Sequence, residues 1–120
     1  MENADPDQDF WGYLKHLIKE NGFEIDRPKG SAHPRFPDRI YPIDYGFIPG
    51  TTSSDGQGID LFHGTAGNQQ IDGILCTLDG MKKDSEIKVL YECTEEEIQT
   101  ALRILSVPPM HRILVRRQDF

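Results

Sequence analysis

The sequence has few cysteines, few cations and no long apolar run, and each shortage excludes a class of protein. Only Cys76 and Cys93 are present and they form no Cys-x-x-Cys pair, so we expect two reduced, structural thiols. Thirteen Lys and Arg against twenty Asp and Glu give a net charge of −7. This acidic balance disfavours a general attraction to nucleic acid or to an anionic membrane. Because no apolar run is long enough to span a membrane and the acidic start is unlike a signal peptide, we expect a cytoplasmic protein.

Length and composition favour one β-rich domain. A chain of 120 residues is the size of a single ordinary domain, which we place at residues 1–120. A hydrophobic fraction of 37%, with 11 Gly and 8 Pro, suits a compact fold with many turns better than a helical bundle.

Hydrophobic periodicity predicts a helix near each end with strands between them. Apolar residues at helical spacing over 10–18, followed by Gly22, indicate an N-terminal amphipathic helix. Thr94 and Glu97 form a capping box in front of a second helix, which the prolines at 108 and 109 end. Strands are expected at 23–25, 40–48, 59–62, 71–78 and 87–91, and the apolar residues 113–115 predict either an edge strand or an extended arm.

Two aspartate pairs are the strongest chemical signal. Asp55 and Asp60 are separated by four residues between a Gly-rich loop and a strand, and Asp79 and Asp84 repeat that spacing in a hairpin. Mg²⁺ is commonly held by one or two carboxylates together with phosphate oxygens, so these four residues are candidate metal ligands. The alternatives are an Asp-Gly turn for the first pair and a solvated charged hairpin for the second.

Other metal and phosphate motifs are absent. An EF-hand is excluded because Phe62 stands where the loop requires Glu. No Walker A loop, no His-Glu-x-x-His and no Gly-x-Ser-x-Gly occurs, so P-loop, zinc-hydrolase and serine-hydrolase chemistry are poorly supported.

A basic segment and a tyrosine precede the first aspartate pair. Lys29, Arg35 and Arg39 concentrate positive charge in an acidic chain, where they suit phosphate oxygens. Tyr45 lies ten residues before Asp55, and its phenol could bond a phosphate oxygen or a metal-bound water. The alternatives are a solvated loop for the basic segment and a core aromatic for Tyr45.

Taken together, Arg-Pro-Lys-Gly-Ser at 27–31, Tyr-Pro at 41–42, Tyr-Gly-Phe-Ile at 45–48 and the aspartate pairs resemble the soluble family I inorganic pyrophosphatases over residues 23–92. The resemblance implies a β-rich α+β fold: an OB-like five-stranded β-barrel, here with an N-terminal and a C-terminal helix. It implies Mg²⁺-dependent hydrolysis of pyrophosphate. It also implies the site residues, with Asp55, Asp60, Asp79 and Asp84 as metal ligands, Asp55, Asp60 and Tyr45 as catalytic residues, and Lys29, Arg35, Arg39, Tyr45 and Lys88 as substrate contacts.

The sequence departs from the family inside its aspartate signature. Gln57 replaces the middle aspartate, and Gln cannot accept a proton at neutral pH. Glu86 stands where the family usually has a lysine, so Lys88 would have to reach back. A non-catalytic or weakly active phosphate- or metal-binding relative is therefore the alternative function. An OB-type nucleic-acid binder is disfavoured by the charge of −7. The oligomeric state stays open, a homo-oligomer included.

Overall fold

The N-terminal helix forms where the sequence predicts it. In the computed structural model, which describes residues 6–117 and the side chains from residue 9 onward, helix α1 runs over Pro6–Asn21. It ends at Gly22, whose φ of 70° reverses the chain while its amide donates to the Ile18 carbonyl at 2.7 Å. Trp11, Leu14 and Ile18 are buried along the inner face of the helix.

Six strands and a second helix follow. The strands pair in the order β1-β2-β3-β5-β4-β6, and only the β3 and β5 pair is parallel. Their bounds, and those of helix α2, are β1 Glu24–Arg27, β2 Asp44–Ile48, β3 Ile59–His63, β4 Ile71–Asp79, β5 Asp84–Tyr91, α2 Glu95–Ile104 and β6 Met110–Arg116.

The expected five-stranded closed barrel is not what forms. The sheet has six strands, and β1 and β6 are its edges within residues 6–117. The sixth strand arises because the C-terminal apolar run pairs with β4 from Gly73 opposite Arg116 to Asp79 opposite Met110, as an edge strand. Strand β1 has only four residues and an irregular register between Ile25 and Arg27, so it offers little edge for closure.

Each helix covers one face of the sheet. Leu61, Val89 and Ile74 point toward α1, and their chain neighbours Phe62, Leu90 and Leu75 point toward α2. This alternation follows from the two-residue period of a strand. Strands β3, β4 and β5 are therefore apolar on both faces at their centres, which explains their continuous hydrophobic runs.

The predicted capping box fixes the start of α2. The Glu97 amide donates to Thr94 Oγ1 at 3.2 Å, and the Thr94 amide donates to Glu97 Oε1 at 2.8 Å. The same Glu97 carboxylate accepts from the Thr65 amide and hydroxyl at 3.0 Å each, so the cap also ties α2 to the loop after β3.

Cys76 and Cys93 are both free thiols, as expected. No helix in the described part of the chain is long and apolar enough to cross a membrane.

Candidate functional site

Strand register brings a carboxylate and a lysine together on the α2 side of the sheet. Asp60 of β3 lies opposite Lys88 of β5 in the parallel pair. Asp60 and Lys88 lie on the same face of the sheet as Phe62 and Leu90, because each precedes one of these by two residues in its strand. Because Phe62 and Leu90 pack with α2, Asp60 and Lys88 lie just past the part of the sheet that this helix covers.

Lys88 is the centre of a buried polar network. Its ammonium donates to Asp60 Oδ2 at 2.9 Å, to the Tyr45 hydroxyl at 2.8 Å and to Glu86 Oε1 at 3.5 Å. The Lys88 side chain is only 8% exposed. We call these four residues the Lys88 network.

The network fixes the charge of its members. Burial lowers the pKa of Lys88, but the interactions with Tyr45 and Asp60 outweigh it and raise the pKa above its ordinary value, so the ammonium stays charged. Burial raises the pKa of Tyr45, so its phenol stays protonated. The result is a cation fixed inside the protein between a phenol and carboxylates.

The carboxylates of Glu86 and Asp55 shift each other's pKa. Burial is the largest cause of the rise in the Glu86 pKa to about 7, and Asp60 and a hydrogen bond with Asp55 add to it against the opposing charge of Lys88. The pKa of Asp55 is lowered, first by the Ser53 hydroxyl and then by the Gln57 amide, which donate to it at 2.7 and 2.9 Å. The two shifts have opposite signs, so Asp55 stays ionised while Glu86 titrates near neutral pH. We call Asp55 and Glu86 the acidic pair.

The loop that carries Asp55 is anchored to β5. The Ser54 hydroxyl donates to the Ser85 carbonyl at 2.7 Å, next to Glu86 in the chain. A cavity of about 350 Å³ opens between this loop and strands β4 and β5. Ser53, Ser54, Thr77 and Glu86 contribute polar groups to its wall.

An aromatic stack links the network to Arg27. The Tyr41 and Tyr45 rings are stacked with centroids 5.3 Å apart, and the Arg27 guanidinium lies 5.6 and 5.9 Å from their centroids. Arg27 also donates to the Tyr41 hydroxyl at 2.6 Å. The pairing of β1 with β2 brings Arg27 to this stack, because Arg27 lies opposite Tyr45.

Four cations influence the charge of His33. Burial is the first cause of the lowered pKa of His33, and the charges of Arg27, Arg39, Arg35 and Lys82 lower it further. Three of these cations come from β1 and the loop after it, and Lys82 comes from the β4–β5 hairpin. We call Arg27, Arg35, Arg39 and Lys82 the basic group.

The predicted substrate residues differ in their placement. Arg35 and Arg39 belong to the basic group and are exposed, and the Arg39 guanidinium lies 4.5 Å from the Phe36 ring centroid. Lys29 is exposed, and its backbone amide donates to Asp44 Oδ1 at 2.8 Å. Lys88 is buried, and its ammonium donates to Tyr45 and Asp60.

The four predicted metal ligands are not brought into one cluster. Asp79 and Asp84 face each other across the β4–β5 pair, and Asp79 Oδ1 accepts from the Met81 and Lys82 amides at 2.9 and 3.0 Å. Asp79 thus closes its own hairpin turn. Residues 6–117 contain no group of three or more His, Cys, Asp or Glu side chains arranged to hold a metal.

The acidic pair fits a bound Mg²⁺, whereas Asp60 does not. The acidic pair supplies one carboxylate from the Asp55 loop and one from β5, which the Ser54–Ser85 hydrogen bond ties together, and two carboxylates commonly hold Mg²⁺ alongside phosphate oxygens. Asp60 does not fit in the same way, because the Lys88 ammonium already lies 2.9 Å from its carboxylate.

Two members of this site were not predicted from the sequence. Glu86 could have been found from its two-residue spacing to both Asp84 and Lys88 along β5, which places all three on one face. Arg27 stands in the Arg-Pro-Lys-Gly-Ser motif of the basic segment, but its proximity to Tyr45 depends on the pairing of β1 with β2.

No protein-family model matches the sequence, and comparison with curated proteins finds no match. Several solved structures share the fold. An inorganic pyrophosphatase of Helicobacter pylori matches with a TM-score of 0.53 and 15% identity, over 78% of this chain and 81% of that chain. One of Neisseria gonorrhoeae matches with a TM-score of 0.51 and 19% identity, over 72% and 73%. One of Coxiella burnetii matches with a TM-score of 0.51 and 17% identity, over 81% and 84%. The chain therefore has a pyrophosphatase-like fold.

Proposed function

We propose that this chain binds pyrophosphate, or a related small phosphoanhydride, on the α2 side of the sheet and hydrolyses it with Mg²⁺. The observation that carries the proposal is the meeting of opposite charges on this face. The acidic pair lies at one end of the Lys88 network, and Arg27 of the basic group lies at the other. A Mg²⁺ complex of a phosphoanhydride needs both kinds of partner, carboxylates for the metal and cations for the phosphate oxygens.

Each charged group has a defined task in this proposal. Asp55 and Glu86 would hold Mg²⁺, which supplies charge neutralisation and an activated water when bound. Arg35 and Arg39, with Lys29 beside them in the loop, bind phosphate oxygens because their side chains are exposed. Asp79 and Asp84 remain candidates for further metal ligands at the hairpin.

Tyr45 and Asp60 fit a positioning task better than direct contact with substrate. The Tyr45 hydroxyl and Asp60 Oδ2 both accept from the Lys88 ammonium, at 2.8 and 2.9 Å. Since Lys88 holds both groups and reaches Glu86, it also fixes where the acidic pair lies relative to Tyr45. We therefore assign Tyr45, Asp60 and Lys88 to organising the site.

Binding without efficient turnover is the second candidate, and two observations favour it. Gln57 stands between Asp55 and Asp60 and offers no proton acceptor at neutral pH. Asp60 is tied to Lys88 and is not free to take a proton from an attacking water. A site of this kind would bind a magnesium phosphoanhydride and release phosphate slowly or not at all.

The test is phosphate release from pyrophosphate with Mg²⁺, using two matched variants. Glu86→Gln removes a carboxylate of the acidic pair, and Glu96→Gln makes the same change at an exposed position of α2. We expect Glu86→Gln to lower the turnover by at least about tenfold and Glu96→Gln to leave it unchanged. Equal turnover in the two variants would remove the acidic pair from the site. If wild type has no turnover but calorimetry detects Mg²⁺-dependent pyrophosphate binding, the second candidate replaces the first.

A further inference from the structure

Lys88 differs from every other lysine in the described part of the chain in being buried. Its whole residue is 7% exposed, whereas lysines 15, 19, 29, 82 and 83 are exposed. A buried ammonium is unfavourable unless oxygens surround it. Here those oxygens come from three strands: Tyr45 from β2, Asp60 from β3 and Glu86 from β5 itself.

The surroundings of the ammonium leave no donor for a ligand. An ammonium group has three N–H donors, and three acceptors lie around this one at 2.8, 2.9 and 3.5 Å. No donor is left to reach a phosphate oxygen outside the protein. The prediction that Lys88 contacts substrate therefore gives way to an internal role.

The same set of oxygens is what a divalent cation would require. A phenol and two carboxylates facing one point form an oxygen-rich pocket, and carboxylate oxygens are the preferred ligands of Mg²⁺. The ammonium and a metal ion cannot both occupy this point, and a metal on the second Asp60 oxygen would be repelled by the neighbouring positive charge.

We propose that the Lys88 ammonium takes the position of a metal ion at Asp60 and excludes divalent metal from that carboxylate. Glu86 Oε1 lies 3.5 Å from the ammonium, farther than Asp60 Oδ2 at 2.9 Å, so the acidic pair is the place left for a divalent ion. The number of metal ions that the site accepts is set by one side chain of the protein. This inference rests on the proposed function only in expecting a divalent ion at this face. Its test measures metal binding without substrate, so its failure is separable from an absence of turnover.

The test is a titration of the full-length chain with Mn²⁺, in which free Mn²⁺ is measured by electron paramagnetic resonance. Lys88→Ala removes the ammonium and leaves space at Asp60. Lys19→Ala removes one charge from an exposed position of α1, on the other face of the sheet. We expect Lys88→Ala to gain a Mn²⁺ site or to bind Mn²⁺ roughly tenfold more tightly, and Lys19→Ala to behave as wild type.

Asp60→Asn identifies the carboxylate involved. We expect it to weaken Mn²⁺ binding far less in the wild-type background than in the Lys88→Ala background, because Lys88 already occupies Asp60 in the wild type. In the Lys88→Ala background it should abolish the gain. A large loss of Mn²⁺ affinity in Asp60→Asn alone would overturn the proposal, as would a folded Lys88→Ala protein without any gain. If circular dichroism finds Lys88→Ala unfolded, the comparison of wild type with Asp60→Asn still decides.

Discussion

Replacing Lys88 with Met should destabilise the protein far more than breaking an ion pair of similar geometry at its surface. Lys88 and Asp60 approach to 2.9 Å with side chains 8% and 19% exposed. Arg116 and Glu95 approach to 2.7 Å with side chains 47% and 61% exposed. The two pairs thus have nearly equal distances and very different burial.

The expected loss of stability in Lys88→Met depends on the Asp60 carboxylate, which loses its partner. At an effective dielectric constant of about 20, two charges at this separation attract by about 6 kcal/mol, part of which offsets the loss of hydration. Met keeps the apolar stem of Lys88, so the main effect is an unpaired Asp60 carboxylate in a mostly buried position. Because the Asp60 side chain is 19% exposed and keeps some access to water, we expect a loss of about 3 kcal/mol in the free energy of unfolding, at the low end for a broken buried pair.

Urea unfolding at pH 7 measures this loss, with Arg116→Met as the matched control. We expect a loss of at most about 1 kcal/mol for Arg116→Met, because the pair, although bidentate, is exposed and screened by solvent. Adding Asp60→Asn to Lys88→Met should recover part of the loss, because the unpaired charge is then removed. Equal effects of the two Met variants, or no recovery in the double variant, would refute the assignment of Lys88 as a buried, structurally required cation.

Three further substitutions test other parts of the account. The raised Glu86 pKa of about 7 means that the folded protein binds more protons than the unfolded chain between about pH 4.5 and 7. Stability should therefore fall as pH rises through that window, by about 1 kcal/mol after solvent screening, and Glu86→Gln should abolish the fall in urea unfolding. Thr94→Ala should lower the free energy of unfolding by about 1 kcal/mol through loss of the cap, whereas Thr100→Ala in the middle of α2 should have little effect. Gly46→Ala should sharply lower the thermal midpoint because its methyl group would collide with the β1 backbone, while Gly12→Ala in α1 meets no atom within 4 Å and should be neutral or stabilising.

Local sequence signals predicted the elements well. Gly22 as the end of α1 and the Thr94 capping box depend on contacts within one turn of helix, and both are present. Strand β5 extends three residues further toward the N-terminus than expected, to Asp84. The first residues of β5 are polar, so no apolar run marked them as a strand. They are extended because they pair with β4.

Long-range pairing was the part that sequence could not fix. The expected barrel closure is not confirmed, because β1 and β6 do not pair within residues 6–117, although the apolar run at 113–115 does form an edge strand, one of its two predicted outcomes. The arrangement of the site also depends on long-range strand pairing. The sequence pointed to Asp55, Asp60 and Tyr45 as candidate site residues. The partner of Asp60, however, is set by the parallel register of β3 with β5. No local pattern shows that Lys88 will lie opposite Asp60 rather than point to solvent.

The most direct test of the proposed function is the release of phosphate from pyrophosphate by the purified wild-type chain, measured with Mg²⁺ and again after chelation. We predict release that requires Mg²⁺ and stops when the metal is removed. The absence of both phosphate release and Mg²⁺-dependent pyrophosphate binding in calorimetry would contradict a phosphoanhydride site on this face of the sheet.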